Sequence, residues 1–291
     1  GVKSAQINTW QDNLVLKRDG TLLGWNQWGV SSSEYSYNLC NYNEPTQILD
    51  GVYQVFFFEQ QAYAVKSDGT LWAWGLNRSG ILGDGTETRR VTPVQVMLEE
   101  QAEPEPSDPV EVPVVRVAAG SRHSLAVKTD GTVWAWGSNA YGQLGNGALS
   151  PSAIATPQKV QGLDNVAAVA AGEGHSVAIQ QGGVLWAWGG NGSGQLGTNT
   201  SQTSYVPVRI MDGVVKADAG PSYTMALRAD GTLWIWGSAG SMGYGNGRNS
   251  SYRPTQIMSN VKDFSAGRSA IAVVTNDGEL VVWGARSAIG I

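Results

Sequence analysis

His123 and His175 are the only histidines of this chain and Cys40 its only cysteine, so a metal centre or a nucleophilic site would have to be built around them. Both histidines stand just before a serine, as Arg122-His123-Ser124 and Gly174-His175-Ser176. No third ligand and no flanking carboxylate recurs with them, whereas a zinc site needs three or four protein ligands. They therefore read as structural, hydrogen-bonding histidines. Cys40 lies in a stretch rich in Tyr and Asn with no histidine near it in sequence. A single cysteine forms neither an intrachain disulfide nor a thiolate cluster. The chain carries no G-x-S-x-G elbow and no H-E-x-x-H pair. Glycine strings such as GGNGSGQLG (Gly189 to Gly197) are followed by no helical pattern that could turn them into a phosphate loop. No catalytic residue, metal or cofactor is expected, and the chain reads as a non-enzymatic protein.

Charge excludes further classes. Lys and Arg total 19 against 24 acidic residues, a net charge of −5 with no basic cluster, which is the wrong balance for gripping a phosphate backbone. No run of apolar residues is long enough to span a bilayer, and no charged-then-apolar leader stands at Gly1. Thirty-eight glycines, twelve tryptophans and only 15% charged residues describe many tight turns around an aromatic interior. This composition, dressed with Asn, Ser and Thr, suggests an extracellular or cell-surface bacterial protein.

The elements that must carry any site come from a repeat. DGTLWAWG (Asp68 to Gly75), DGTVWAWG (Asp130 to Gly137) and DGTLWIWG (Asp230 to Gly237) are its fullest copies. Weaker ones start at Asp19, Gly182 and Asp277, so the period is about 48 residues, with one long step between Asp68 and Asp130. That step contains residues 97–113, an acidic, proline-punctuated stretch with the composition of a solvated loop inserted in a single domain spanning 1–291. Within a unit, Ser124 to Thr129 and Thr132 to Trp136 alternate like strands, and Asp130-Gly131 between them predicts a two-residue hairpin turn. A proline then opens a short edge strand at Pro45, Pro93, Pro157, Pro207 and Pro254. Four short strands per unit and no helical period predict an all-β fold, a β-propeller of about six four-stranded blades with the last incomplete. Ten tryptophans in equivalent places, six in the Trp-Gly pairs' series from Trp25 to Trp283 and four two residues earlier, are predicted to pack blade on blade.

The string from Gly120 to Gly145, G-x-x-H-S-L-A-V-x-x-D-G-x-V-x-x-W-G-x-N-x-x-G-Q-L-G, resembles the regulator of chromosome condensation repeat. The resemblance spans nearly the whole chain. It implies a propeller, commonly of seven blades in that family, that acts by binding proteins. It also brings two narrower functions into view: guanine nucleotide exchange on a small GTPase, and inhibition of an extracellular hydrolase, as in the propeller-type β-lactamase inhibitors sharing this repeat.

In an up-and-down blade the first and third connections reach one rim and the Asp-Gly hairpins the other. The hairpin rim is monotonous and the opposite rim diverse, so the expected partner-binding residues are Trp10, Gln11, Trp28, Gln60, Arg78, Arg122, Tyr141, Glu173, Tyr223 and Arg268. A protein is the expected partner; a glycan stacking on exposed aromatic rings, or an enzymatic use of the axial channel, is the other reading. Four Asn-x-Ser/Thr triplets, at Asn77, Asn191, Asn199 and Asn249, match the glycosylation pattern.

Overall fold

A computed structural model describes residues 1–7, 12–26, 42–58, 60–98, 114–239, 250–267 and 270–284. It contains six antiparallel sheets in chain order. Blade 1 comprises β1 (Val2–Ile7), β2 (Asp12–Lys17), β3 (Leu22–Asn26) and β4 (Thr46–Leu49). Blade 2 comprises β5 (Val52–Phe58), β6 (Gln61–Lys66), β7 (Leu71–Gly75) and β8 (Arg90–Gln95). Blade 3 is β9 (Val114–Ala119), β10 (His123–Lys128), β11 (Val133–Asn139) and β12 (Ser150–Lys159). Blade 4 is β13 (Val166–Ala171), β14 (His175–Gln180), β15 (Leu185–Gly189) and β16 (Ser204–Met211). Blade 5 is β17 (Val214–Ala219), β18 (Tyr223–Arg228), β19 (Leu233–Ser238) and β20 (Ser250–Met258). Blade 6 has three strands among the described residues, β21 (Val261–Ala266), β22 (Ala270–Thr275) and β23 (Leu280–Gly284). Strands pair in sequence order within each sheet, and the first strands of successive blades, β9, β13, β17 and β21, run against one another along the axis of a β-propeller.

Two local expectations are corrected. The hairpin between β10 and β11 is not a two-residue turn. Gly131 N–H closes it on the Lys128 carbonyl at 2.9 Å, Lys128 N–H reaches the Thr132 carbonyl, and only Gly131, at φ 78°, has a positive φ. Asp130 stays in an ordinary conformation because its carboxylate does a different job, accepting the Thr132 N–H at 2.8 Å and hydroxyl at 2.7 Å. The same Asp-to-Thr bond recurs at Asp19, Asp68 and Asp230. The second correction concerns the prolines. Pro157, Pro207 and Pro254 lie inside β12, β16 and β20, with only Pro45 standing immediately before its strand. Proline is tolerated there because these are edge strands with one unpaired side.

Alternation sorts each blade into two apolar faces. Ala126, Trp134 and Trp136 of blade 3 pack with Tyr63, Val65, Leu71 and Ala73 of blade 2, while Leu125, Val127, Val133 and Ala135 pack with Ala178 and Trp188 of blade 4. Trp74, Trp136, Trp188 and Trp236 are wholly buried, and each buried indole removes about 150–250 Å² from water, worth about 4–6 kcal/mol before entropy is subtracted. Trp25 and Trp283, in the first and last blades, are half-buried. The second series is held at the other rim: Trp72 and Trp234 donate their indole N–H to the turn threonines Thr70 and Thr232, both at 2.9 Å. Where Gly182 replaces the aspartate, Trp186 turns to the Gln180 side chain instead, at 2.7 Å.

The seams after blades 2, 3 and 4 are each closed by a loop that follows the third strand. Asn139 is buried and folds this loop around itself, accepting the Leu144 N–H at 3.1 Å and donating to the Ala148 carbonyl at 2.9 Å; Asn77 and Asn191 do the same in blades 2 and 4. The loop presents one carbonyl to the next blade. Gln143 O takes the Trp188 indole at 2.9 Å and the Ser176 hydroxyl at 2.8 Å, and Gln195 O takes Trp236 at 2.9 Å and Thr224 at 2.8 Å. Ile81 O serves Trp136 and Ser124 in the same way. Glycines make the approach possible. Gly145 has φ 64°, and a Cβ there would lie 2.7 Å from the Trp188 indole nitrogen. Gly145→Ala is therefore expected to lower stability by about 2–4 kcal/mol, from left-handed strain plus overpacking. Gly182→Ala, also at positive φ but with nothing within 4 Å of its Cβ, should lose only about 1–2 kcal/mol in urea titration. Equal losses would show that the seam contact contributes nothing.

Candidate binding rim

Two sets of loops meet at the rim opposite the hairpins. In blades 2 to 5 the first connection is a tight turn whose carbonyl is pinned from the end of the third strand: Leu76 N–H to Gln60 O at 3.0 Å, Ser138 to Arg122 at 2.8 Å, Gly190 to Gly174 at 2.8 Å and Ser238 to Ser222 at 2.7 Å. The Asn-organised loops supply the second set. Side chains on this rim thus stand on backbone that cannot relax away from a partner.

Arg78, Arg122, Tyr141 and Glu173 are exposed and Gln60 is half-buried, all on these loops. Two of them adjoin. Tyr141 N–H is held by the Gln143 side chain at 2.9 Å, and its ring lies against Gly174, where a Cβ would come within 3.1 Å. Glu173 is the next residue along, and Arg122 is the equivalent turn of blade 3. Tyr141 is 58% exposed, an aromatic ring presented to solvent on a fixed support. Trp10, Gln11, Trp28 and Arg268 lie outside the described residues.

Tyr223 does not belong to the exposed set. It is 1% exposed, and its hydroxyl donates to the Gly267 carbonyl of blade 6 at 2.7 Å. The physical reason is register: Tyr223 opens β18 as His123 opens β10 and His175 opens β14, a position that faces the seam. Reading it in line with the two histidines is the signal that would have placed it inside. Asn77 and Asn191 are likewise buried, so the folded protein offers neither as a glycan acceptor; Asn199 is exposed, and Asn249 lies outside the described residues.

At the axis the first connections surround a cavity of about 300 Å³, lined by Phe58, Gln60, Ser121, Glu173, Pro221 and a succession of Ala-Gly pairs. The glycines there permit contact between blades: a Cβ on Gly120 would meet the Gly172 carbonyl, and one on Gly172 the Gly220 carbonyl at 2.5 Å. Asp218, near the end of β17, accepts the Ala219 N–H at 2.9 Å and the Ala266 N–H at 3.3 Å. Burial nevertheless pushes its carboxyl above the ordinary carboxylate range, and burial together with that carboxylate raises the Tyr223 phenol. Sequence reading did not find this acid, because nothing in its local pattern marks it.

His123 and His175 are wholly buried and hydrogen-bond across seams, His123 Nε2 with Ser176 Oγ and His175 Nε2 with Thr224 Oγ1, both at 2.9 Å. Burial drives both imidazoles well below their ordinary value, His123 to about 3 with help from neighbouring His175, and His175 to about 4. They are neutral donors at physiological pH. Among the described residues no three His, Cys, Asp or Glu side chains come together in a way that could hold a metal ion.

The repeat architecture matches known proteins. The family model "Regulator of chromosome condensation (RCC1) repeat" matches residues 68–127, 130–179 and 182–227, and a second model of that repeat matches 114–143 and 166–195. The human probable E3 ubiquitin-protein ligase HERC6 is 35% identical over 176 residues, 57% of this chain and 16% of that protein. The ultraviolet-B receptor UVR8 of Arabidopsis thaliana is 33% identical over 149 residues, 50% of this chain and 31% of the receptor. The chain thus spans well under half the length of these relatives. Among solved structures, human WBSCR16 superposes with a TM-score of 0.74 at 23% identity, covering 98% of this chain and 76% of that one. Prp20p of Saccharomyces cerevisiae, described with its binding to Gsp1p and histones, gives a TM-score of 0.72 at 24% identity over 97% of this chain and 72% of its own. At these identities the structural likeness speaks for the fold.

The burial of Tyr223 separates packing from recognition. Tyr223→Phe is expected to cost about 1 kcal/mol of stability through the lost bond to Gly267 and to leave any binding at the rim unchanged; weaker binding at unchanged stability would return this residue to the surface set.

Proposed function

The chain belongs to the regulator of chromosome condensation repeat family, and on that footing we propose that it is a non-enzymatic protein-binding propeller whose partner docks on the rim opposite the hairpins. The observation that supports this most is Tyr141, an exposed ring fixed over Gly174, the neighbour of Glu173. Protein-binding surfaces concentrate their energy in such anchored aromatic and arginine side chains, ringed by groups that exclude water. The hairpin rim, by contrast, repeats Asp, Gly and Thr engaged with one another. Solved relatives of the same fold bind proteins, Prp20p being known in complex with Kap60 as well as for its binding to Gsp1p and histones.

Location is part of the same reading: a sparsely charged, Gly-, Asn- and Ser-rich surface suits a secreted or surface-exposed bacterial protein. Nucleotide exchange and inhibition of an extracellular hydrolase are narrower forms of protein binding. Acceleration of mant-nucleotide release from a small GTPase, or stoichiometric loss of a hydrolase activity on mixing, would each replace the general reading with a specific one. A glycan partner would show itself as glycan-array binding.

Affinity capture with the wild type, Tyr141→Ala, Arg122→Ala and the hairpin-rim control Thr132→Ala tests the choice of rim. Tyr141→Ala is expected to weaken the captured partner by about 30-fold or more, the loss typical of a hot-spot residue, and Thr132→Ala to leave it unchanged. Equal retention by all four proteins rejects this face.

A further inference from the structure

The two seams that flank blade 4 differ from their neighbours in one respect. Each is bridged by a histidine that opens the second strand of one blade and bonds the hydroxyl on the next. The direction of these bonds is settled by what the hydroxyls do: Ser176 Oγ–H is donated to Gln143 O and Thr224 Oγ1–H to Gln195 O. Each hydroxyl therefore accepts from the imidazole, which fixes both rings as the Nε2–H tautomer. Nδ1 of each ring is then a bare acceptor, buried and without a hydrogen-bond partner. Those Nδ1 atoms lie against the rim glycines, 3.1 Å and 2.6 Å from where a Cβ would stand on Gly120 and Gly172.

A second proton on either ring would have to sit on Nδ1, putting an unpaired N–H and a net charge into a closed seam. Only the Tyr223 backbone beside His175 opposes this cost, and burial outweighs it. The titratable groups around the rings are the other histidine and Tyr223, with Asp218 behind that phenol; Arg122 and Glu173 next along the chain are exposed. Two other seams avoid the problem. Gln61 holds the histidine position in blade 2, where the Tyr63 hydroxyl meets Ser124 at 2.8 Å, and Tyr223 holds it in blade 5.

We propose that His123 and His175 make blade 4 an acid-sensitive segment of the propeller: below about pH 6 its two seams open progressively more often, and in the open state the rim turns carrying Arg122 and Glu173 lose their support. Any effect on partner release rests on the rim reading above; the opening itself does not. The sign follows from linkage. Both imidazoles are depressed in the closed seam, so the open state binds more protons at every pH below the ordinary value of 6.5. Opening is thus favoured as pH falls from 6.5 towards the closed-state values of about 4 and about 3, and is indifferent to pH above 6.5. Other groups leave this window clear. Bonds from Thr21 and Thr232 hold the Asp19 and Asp230 carboxyls below the carboxylate range, so their contribution is lost only in stronger acid, and protonating Asp218 relieves a buried charge.

Hydrogen exchange on the wild type and on His123→Gln/His175→Gln, at pH 7 and pH 5 and corrected for intrinsic rates, tests the proposal. Glutamine keeps an N–H donor and cannot titrate. From pH 7 to pH 5 the protection of β10 and β14 in the wild type should fall about 25-fold for each histidine exposed by the opening. β6 should change by less than about threefold, and the double variant should show no such fall. Unchanged protection in the wild type, an equal fall in the double variant, or a parallel fall of β6 overturns it. Should the double variant not fold, imidazole ¹⁵N spectra of the wild type decide: two Nε2–H tautomers persisting below pH 5 support the closed seam described, and titration near 6.5 in the folded protein removes it.

Discussion

A single backbone carbonyl, that of Gln143 in blade 3 and of its equivalents Ile81 and Gln195, is the point on which the packing of one blade against the next depends. It is the only part of the loop that reaches the neighbouring indole and hydroxyl together. For that contact to exist the loop must be folded by a buried asparagine, plugged by a buried leucine and stripped of side chains at two glycines. Burying indole, hydroxyl and carbonyl at the same seam is tolerable because each satisfies another. The string N-x-x-G-Q-L-G is thus a single device whose residues make sense only in the company of the tryptophan about 50 positions later.

The fold was legible because its chemistry repeats. Asp-Gly-Thr turns, alternating strands and Trp-Gly ends each recur with enough copies that tandem small sheets were the remaining solution, and the placing of Trp134 and Trp136 on one face and Leu125 and Val127 on the other follows from period two alone. What was less legible depended on the neighbouring blade. Tyr223 looked like a loop residue because the segment Pro221-Ser222 before it is turn-like; only the seam shows that its slot faces inward. Asp130 was expected to adopt a positive φ, whereas the carboxylate-to-threonine bond leaves that task to Gly131 alone. The prolines were displaced from strand starts to strand interiors because an unpaired edge tolerates them anywhere along its length.

Of the residues proposed for binding, Gln60, Arg78, Arg122, Tyr141 and Glu173 stand at one rim, where the order of connections in a blade puts them. Their grouping was not legible in that order. That Tyr141 lies over Gly174 beside Glu173 is a contact between blades, and no spacing along the chain encodes it. The cavity at the axis is a product of the same kind, since it is lined by Ala-Gly pairs that are unremarkable singly and bring carbonyl against glycine from blade 3 to blade 5.

In blades 2 to 4 the loop engages the blade that follows, so the coupling runs in one direction from neighbour to neighbour. A duplication or excision of one whole period in the gene would rejoin an equivalent asparagine loop to an equivalent tryptophan without asking any third element to adapt. Propellers assembled this way can change blade number by recombination alone, and the exposed rim positions outside the joint, such as Arg78 and Arg122, are free to drift while the count changes.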